Sequence, residues 1–469
     1  MFGARWTVKR VGGVTRGRRH GGVTQAAGRR ARAVVFEVAE VAGVDVCSSA
    51  VVRHFTYVVA GGGAAGLSLA VRLARRTEFR ESSILVVDRE PKSGNDRTWC
   101  YWATDPGLFG GLAQRRWDRM RFTGGGVDLD LVLAPYRYYM LRSDHFYRSS
   151  IAELAAAPNV ELLRAEIGEM DDDGRRVSVR LTPASGEAAA NGPDRTGTGE
   201  AVALGPDLTE ASTVSCEYLF DGAWEYGRFV AEQWVDTTKH HSLKQHFLGR
   251  GVRAPHDTFE VDRATLFDFQ TPQRGIMRFV YTMPLNPREA LVEYTIFSDD
   301  LLAPPEYDRA LNEYLREVVG LDTWEVLEEE SCIIPMTDYP FERRPSPRVL
   351  RIGTKGGMAK ASTGYAFARI QRDSDAIVES LARGGDPFDL ARASRRYRLL
   401  DSIMLQVLHR HGDRAEEVFT RLFARNPVQR VFGFLDEDES LWGNLKLMST
   451  VPIPLFLRAA GGVISGRAP

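Results

Sequence analysis

One stretch constrains the fold of this chain more than any other: "FTYVVAGGGAAGLSLAVRLARR", residues 55–76. A short apolar run passes through glycines into a segment with helical periodicity. "SILVVDREP", 83–91, then adds a second apolar run that ends on an acid. Strand, tight turn, helix and strand make a βαβ unit. Within it Gly61, Gly63 and Gly66 fit G-x-G-x-x-G. The first makes the turn, the second lets a pyrophosphate approach the backbone, and the third lets helix and strand pack closely. Asp88 ends the next strand, 22 residues past Gly66, where a carboxylate can hold a ribose hydroxyl. The set predicts dinucleotide binding.

A second glycine-rich segment, "VLRIGTKGGMAKASTGYAFARIQ", 349–371, decides between NAD and FAD. It reads as a strand, a loop holding Gly353, Gly356 and Gly357, and then Thr363-Gly364 opening a long helix. A late strand–loop–helix of this order returns to the first domain, where backbone amides and a positive helix end can face a flavin ring. FAD is therefore the expected cofactor; an unrelated turn is the plainer alternative.

In "REALVEYTIFS", 288–298, alternation puts Leu291, Glu293, Thr295 and Phe297 on one strand face. An ionised carboxylate between leucine and phenylalanine is costly unless paired, solvated or kept protonated. Glu293 is thus either a neutral acid or a surface charge paired with Arg278 on the neighbouring strand. The run "GIMRFVYTMPL" and this one, joined by "NPR", predict a hairpin in a mostly antiparallel sheet. Segments 366–383 and 387–448 read as helices, and the proline pair in "LMSTVPIPLFLRAAGGVISG", 447–466, is expected to break any helix there. That apolar tail could lie on a bilayer or pack on the core. No charge-free apolar window reaches the length of a spanning helix.

Composition excludes several classes. The net charge of −1 gives no case for a nucleic-acid partner. The four cysteines, Cys47, Cys100, Cys216 and Cys332, form no C-x-x-C pair, which fits a reducing compartment and implies neither disulfides nor a metal site. Nine Lys/Arg residues precede Ala33 with no acid before Glu37. Residues 1–53 therefore read as a disordered basic extension, with an organelle-targeting peptide as the alternative.

"GGGAAGLSLAVRL", "NDRTWCYW", "ALVEYT", "IPMTDYPF" and "GGMAKASTGYAFARIQ" follow one another in order. Together they resemble the flavin-dependent lycopene β-cyclases of carotenoid biosynthesis over about 55–458. The resemblance implies an α/β fold like that of FAD hydroxylases: a Rossmann-like FAD-binding domain interleaved with a mostly antiparallel substrate domain, then a helical C-terminal region. The expected boundaries are 54–160 for the first FAD-binding part, 183–212 for a low-complexity surface insertion, and 213–345 for the substrate sheet. The FAD-binding return follows at 346–385 and the helical region at 386–469. The resemblance also implies reduced FAD, NAD(P)H as electron source, and a lycopene-like acyclic carotenoid drawn from a membrane surface by a cytoplasmic, peripheral enzyme.

In that family the first glutamate of a Phe-Leu-Glu-Glu-Thr-like motif is the proposed acid–base residue, which falls on Glu293. The next acidic position of the plant and some bacterial forms is Tyr294 here, so a mechanism needing both carboxylates is in question. Ring closure begins when a proton adds to the terminal C=C; an internal double bond then attacks the tertiary cation, and a ring proton leaves. A desolvated carboxyl stays neutral and can supply that proton. Trp99, Tyr101, Trp102, Tyr294, Phe297, Tyr365 and Phe367 are expected either as aromatic guards of the cation or as plain core. Asp338 is a candidate second acid or base, or a cap or ion-pair partner of Arg343 or Arg344. Two rival functions remain. An FAD monooxygenase or halogenase usually carries Gly-Asp where this chain has Gly353-Thr354-Lys355. A carotenoid-binding flavoprotein without turnover is the other.

Overall fold

The computed structural model describes residues 52–92, 94–184, 204–224, 235–384, 386, 388–391 and 394–466. All but the end of the basic extension, and most of the expected insertion, lie outside the described residues.

The βαβ unit forms as its pattern requires. Strands β1 (Arg53–Ala60), β2 (Ile84–Asp88), β8 (Val160–Arg164), β11 (Ser212–Asp221) and β17 (Val349–Arg351) run parallel, with β10 (Val177–Thr182) and β9 (Glu166–Asp172) added antiparallel at one edge. Side chains of β1 alternate between two cores. Tyr57 and Val59 meet α1 (Ala64–Arg75), α2 (Ser143–Ala156) and α4 (Phe367–Arg383), while Val58 and Ala60 enter the core on the other face. Burial on both faces explains why these strands are apolar throughout.

A second sheet has the order β16 (Glu325–Thr337), β12 (Ser242–Arg253), β15 (Glu289–Ser298), β14 (Met277–Asn286), β13 (Arg263–Asp268), β5 (Arg119–Gly124) and β6 (Val127–Val132). Its pairings are antiparallel except β13 with β5. Its outer face packs on α3 (Pro304–Glu317) through Val292, Tyr294 and Ile296. Its inner face, with Leu291 and Phe297, is covered by α5 (Arg395–Arg410), α6 (Ala415–Arg425), α7 (Val428–Leu435), α8 (Leu441–Met448) and α9 (Ile453–Ile464).

A small sheet of β3 (Thr98–Ala103), β7 (Arg137–Arg142) and β4 (Arg115–Trp117) forms the wall between the cofactor-type core and this inner core. Trp99, Tyr101 and Tyr139 point into the first, and Cys100, Trp102 and Tyr138 into the second.

Two expectations are corrected and one is refined. The boundary at 213 does not separate the sheets, because β11 is central to the parallel sheet, whereas β5 and β6, placed in the first FAD-binding part, belong to the antiparallel one. Residues 205–211 run along the surface, as expected of the insertion, but Leu204 is fully buried, and the Arg164 and Leu208 amides donate to Pro206 and Arg164 carbonyls. The tail does form a helix, α9, since Pro452 caps it and Pro454 sits in its first turn, where no amide hydrogen is needed.

Candidate active site

The parallel strands end together. The Gly61 amide donates to Val87 O, the Gly222 amide to Ala60 O and the Ile352 amide to Asp221 O, so the turns after β1, β11 and β17 meet at one sheet edge. Ligands of open α/β sheets bind at such carboxyl ends. The three glycines of the first motif differ in kind. Gly61 has φ +99°, and a Cβ there would lie 2.9 Å from the Gly222 backbone. A Cβ on Gly66 would lie 1.9 Å from Gly61 O, so only glycine lets α1 start this close to the turn. Around Gly63, the N-terminal cap of α1, a Cβ would meet nothing within 4 Å, and no side chain caps the helix. The helix end is left open to an anion.

Asp88 borders this opening. Its Oδ2 accepts from the Gly62 amide at 2.5 Å and from Lys92 Nζ at 2.9 Å, and its Oδ1 accepts from the Glu90 amide. Burial pushes the carboxyl up, but Lys92 and the amide donors outweigh it and hold it below its ordinary value.

The late glycine segment reaches both halves of the site. Gly353 (φ +61°) abuts Ala65 in the first turn of α1, where a Cβ would come within 2.9 Å of the alanine's. Gly356 and Gly357 complete the turn, the former against the Arg351 carbonyl and the latter against Phe341. Lys355 pairs with Asp221 at 2.6 Å. Further on, Gly364 (φ +71°) lies against Gln245 of β12, and the hydroxyls of Thr354 and Thr363 are buried without a partner among the described residues. Open space at Gly63, glycine-only backbone and two orphaned buried hydroxyls fit a flavin dinucleotide laid along Gly61–Gly66, Asp88 and Gly353–Gly364.

Beyond Gly364 the chain enters the second half. The Tyr365 hydroxyl lies 3.3 Å from that of Tyr138 and also bonds Tyr281. Trp102 stands at 4.7 Å from the Tyr365 ring and stacks on Phe432 at 4.6 Å. Behind these rings sits Glu293, 1% exposed. Its Oε1 accepts from Thr295 Oγ1 at 2.8 Å, and its Oε2 has no partner among the described residues. Burial first, and the carboxyl of Glu330 second, push Glu293 well above the ordinary range. Both influences favour the protonated form of this carboxyl over the charged one.

The alternative partner for Glu293 is ruled out by the pleat. Arg278 lies on the other face of the sheet, donating to the Tyr294 hydroxyl at 3.1 Å and to Glu306 at 2.9 Å. Tyr294 therefore could not have served as a second acid position on this face. The second carboxyl comes from Glu330 on β16, which the sequence reading missed. Its Oε2 accepts from Thr98 Oγ1 at 2.9 Å, and burial with the neighbouring Glu328 pushes it up to about 7.

Asp338 is elsewhere, eight residues past Glu330 and just beyond the end of β16. It accepts from the His241 amide and Nδ1, while Arg343 and Arg344 pair with Asp373 and Asp386. Of the other aromatic candidates, Trp99, Tyr101 and Phe367 stack together on the cofactor side of the small sheet, with ring centres 5.0–5.4 Å apart. Trp102, Tyr365 and Phe297 lie on the Glu293 side, joined by the unanticipated Tyr138 and Tyr281.

The sequence model of the family described as "Lycopene cyclase protein" matches residues 57–460. The chain belongs to that family. It is 25% identical over 421 residues to a lycopene beta-cyclase of Pseudescherichia vulneris, covering 87% of this chain and 90% of that one. A lycopene beta-cyclase of Pantoea ananas is 23% identical over 330 residues, covering 67% and 71%. Neoxanthin synthase of Solanum tuberosum matches over a shorter stretch, 29% identical across 31% of each chain. Among solved structures, a geranylgeranyl bacteriochlorophyll reductase-like protein of Thermoplasma acidophilum superposes with TM-score 0.53 at 12% identity, covering 87% and 98%. A flavoprotein/dehydrogenase of Cytophaga hutchinsonii gives 0.52 at 13%, covering 88% and 100%. These fix the architecture as an α/β FAD-binding fold, and family membership makes the chain a cyclase of carotenoid biosynthesis.

Proposed function

We propose that this lycopene-cyclase family member closes the acyclic end of lycopene, or of a related carotene, into a β-ionone ring without net redox change, with Glu293 as the acid. The observation that carries the reading is a buried carboxyl, pushed well above its ordinary range and with one oxygen unpartnered among the described residues, on a strand face that it shares with Leu291 and Phe297 and across the ladder from Tyr281. The Glu293 O–H bond breaks as a C–H bond forms at the terminal alkene carbon. The internal double bond then closes the ring, and loss of a ring proton returns it to the carboxylate. Neither atoms nor electrons are left over. Thr295 fixes one carboxyl oxygen and so aims the other. The aromatic faces stabilise the cation by about 0.5–2 kcal/mol each where water is excluded.

The two glycine segments and Asp88 would hold FAD, which, when bound and reduced by NAD(P)H, would supply an electron-rich neighbour to the cation. The substrate is drawn from a membrane surface. In support, Trp442 is 76% exposed, Leu457 67% and Ile464 73%, on helices whose other sides are buried. No single described helix is long and apolar enough to cross a bilayer.

The test is expression in a lycopene-accumulating bacterial host with chromatography of the pigments. Cyclic carotenes formed without oxygen are expected. Unchanged lycopene from a folded, flavin-loaded protein, with substrate-stimulated oxygen uptake, would instead point to a monooxygenase.

A further inference from the structure

Glycine 249 of β12 is paired in register with Glu293 on one side and with Glu330 on the other. The two glutamates are thus two strand spacings apart, about 10 Å between Cα atoms. A Cβ on Gly249 would lie 3.1 Å from Glu330 Cγ and 3.6 Å from Glu293 Cβ, so glycine leaves the two side chains facing one gap. Each carboxyl has one oxygen held by a threonine and one buried oxygen without a partner among the described residues. Like charges placed this way in a dry core cannot both ionise at low cost.

Building on Glu293 as the acid, we propose that Glu330 is a positioning residue that gates it by charge. Neutral Glu330 lets Glu293 release its proton to the alkene; ionised Glu330 opposes the negative charge that release creates. No bond changes at Glu330 itself.

The other charged and titratable groups around the pair do not take this role. Arg142 of β7 is engaged by Glu328 and Asp144, and Arg97 by Asp96. Burial pushes the Cys100 and Cys332 thiols and the Tyr138, Tyr281 and Tyr365 phenols up, away from neutrality. Glu330, pushed up to about 7, is the group whose charge changes there. The cyclisation rate therefore falls as pH rises through about 7.

The test uses the full-length, FAD-loaded enzyme with lycopene in phosphatidylcholine vesicles. Rates are measured from about pH 5.5 to 9. Glu330→Gln, which cannot ionise, is expected to move the alkaline limb up by about one pH unit or more, while Glu330→Asp keeps a limb in the neutral range. A uniform loss at every pH in Glu330→Gln, with the limb unmoved, is what a merely structural role would give and would overturn the gate. A second readout needs no turnover. A carboxyl raised in the folded state contributes stability at low pH that is lost as pH rises through its folded value. The melting temperature of wild type is expected to fall as pH rises from about 4.5 to about 7 and then to level off, with a smaller fall in Glu330→Gln; identical slopes in that window would overturn the proposal. Absence of cyclisation by wild type would strike the parent reading. Wild-type cyclisation lost in Glu293→Gln, with an unmoved limb in Glu330→Gln, would sink the gate alone.

Discussion

At the carboxyl ends of β1, β11 and β17 the protein presents backbone: glycines in turns, a helix end without a side-chain cap, and open space around Gly63. At the middle of β12, β15 and β16 it presents side chains: two buried carboxyls, two threonines that hold them, and a wall of rings. The first region is shaped by backbone: a Cβ would collide at Gly61, Gly66 and Gly353, while Gly63 faces open space. The second is shaped by side chains that bury two carboxyls on adjoining strands of one sheet. The late segment from Gly353 to Tyr365 is where the two meet, touching α1 with one end and the ring cluster with the other.

The comparison can be broken most violently at Gly66. Gly66→Val drives atoms into the Gly61 carbonyl, where even a Cβ would come within 1.9 Å. A loss of about 3 kcal/mol or more is expected in denaturant unfolding, with no flavin absorbance. Gly63→Ala, in open space, should cost only about 1 kcal/mol while still losing flavin. Intact flavin in either variant would refute the cofactor placement.

In the other half, Gly249→Leu fills the gap between the carboxyls. Turnover is expected to fall about 100-fold with flavin content unchanged. Loss of flavin together with activity would mean that the two regions are not separable. Trp442→Ser with Leu457→Ser should weaken vesicle sedimentation about tenfold or more and leave cyclisation of detergent-dispersed lycopene alone. The smallest effect is expected at Tyr294→Phe, less than about threefold in rate, because its hydroxyl meets Arg278 on the opposite face. A large loss there would overturn the assignment of faces.

The same contrast explains what could be read in the sequence. Gly61, Gly63, Gly66 and Asp88 are local in the chain, so spacing alone identified them. Glu293 was legible because strand alternation placed it between Leu291 and Phe297. Glu330 was not. It closes the run Glu328-Glu329-Glu330, which looks like a solvated charged stretch, and only register with β12 turns it inward. The available signal was parity, since Glu330 shares its face with Cys332 and Ile334, both core residues. Leu204 was hidden in a small-residue stretch, and its burial beside Gly62 depends on the pairing of residues 204–208 with β8. The Pro452–Pro454 pair misled because proline forbids a helix interior but suits a helix start.

The central claim is that a buried neutral carboxyl at 293 is the proton donor. The most direct measurement is pigment analysis of a lycopene-accumulating host expressing wild type or Glu293→Gln, with flavin content and melting temperature of each purified protein. Cyclic carotene from wild type, and less than about one-thousandth of it from an equally stable, flavin-loaded Glu293→Gln, is the expected result. Cyclisation by Glu293→Gln at a rate near wild type would contradict the account.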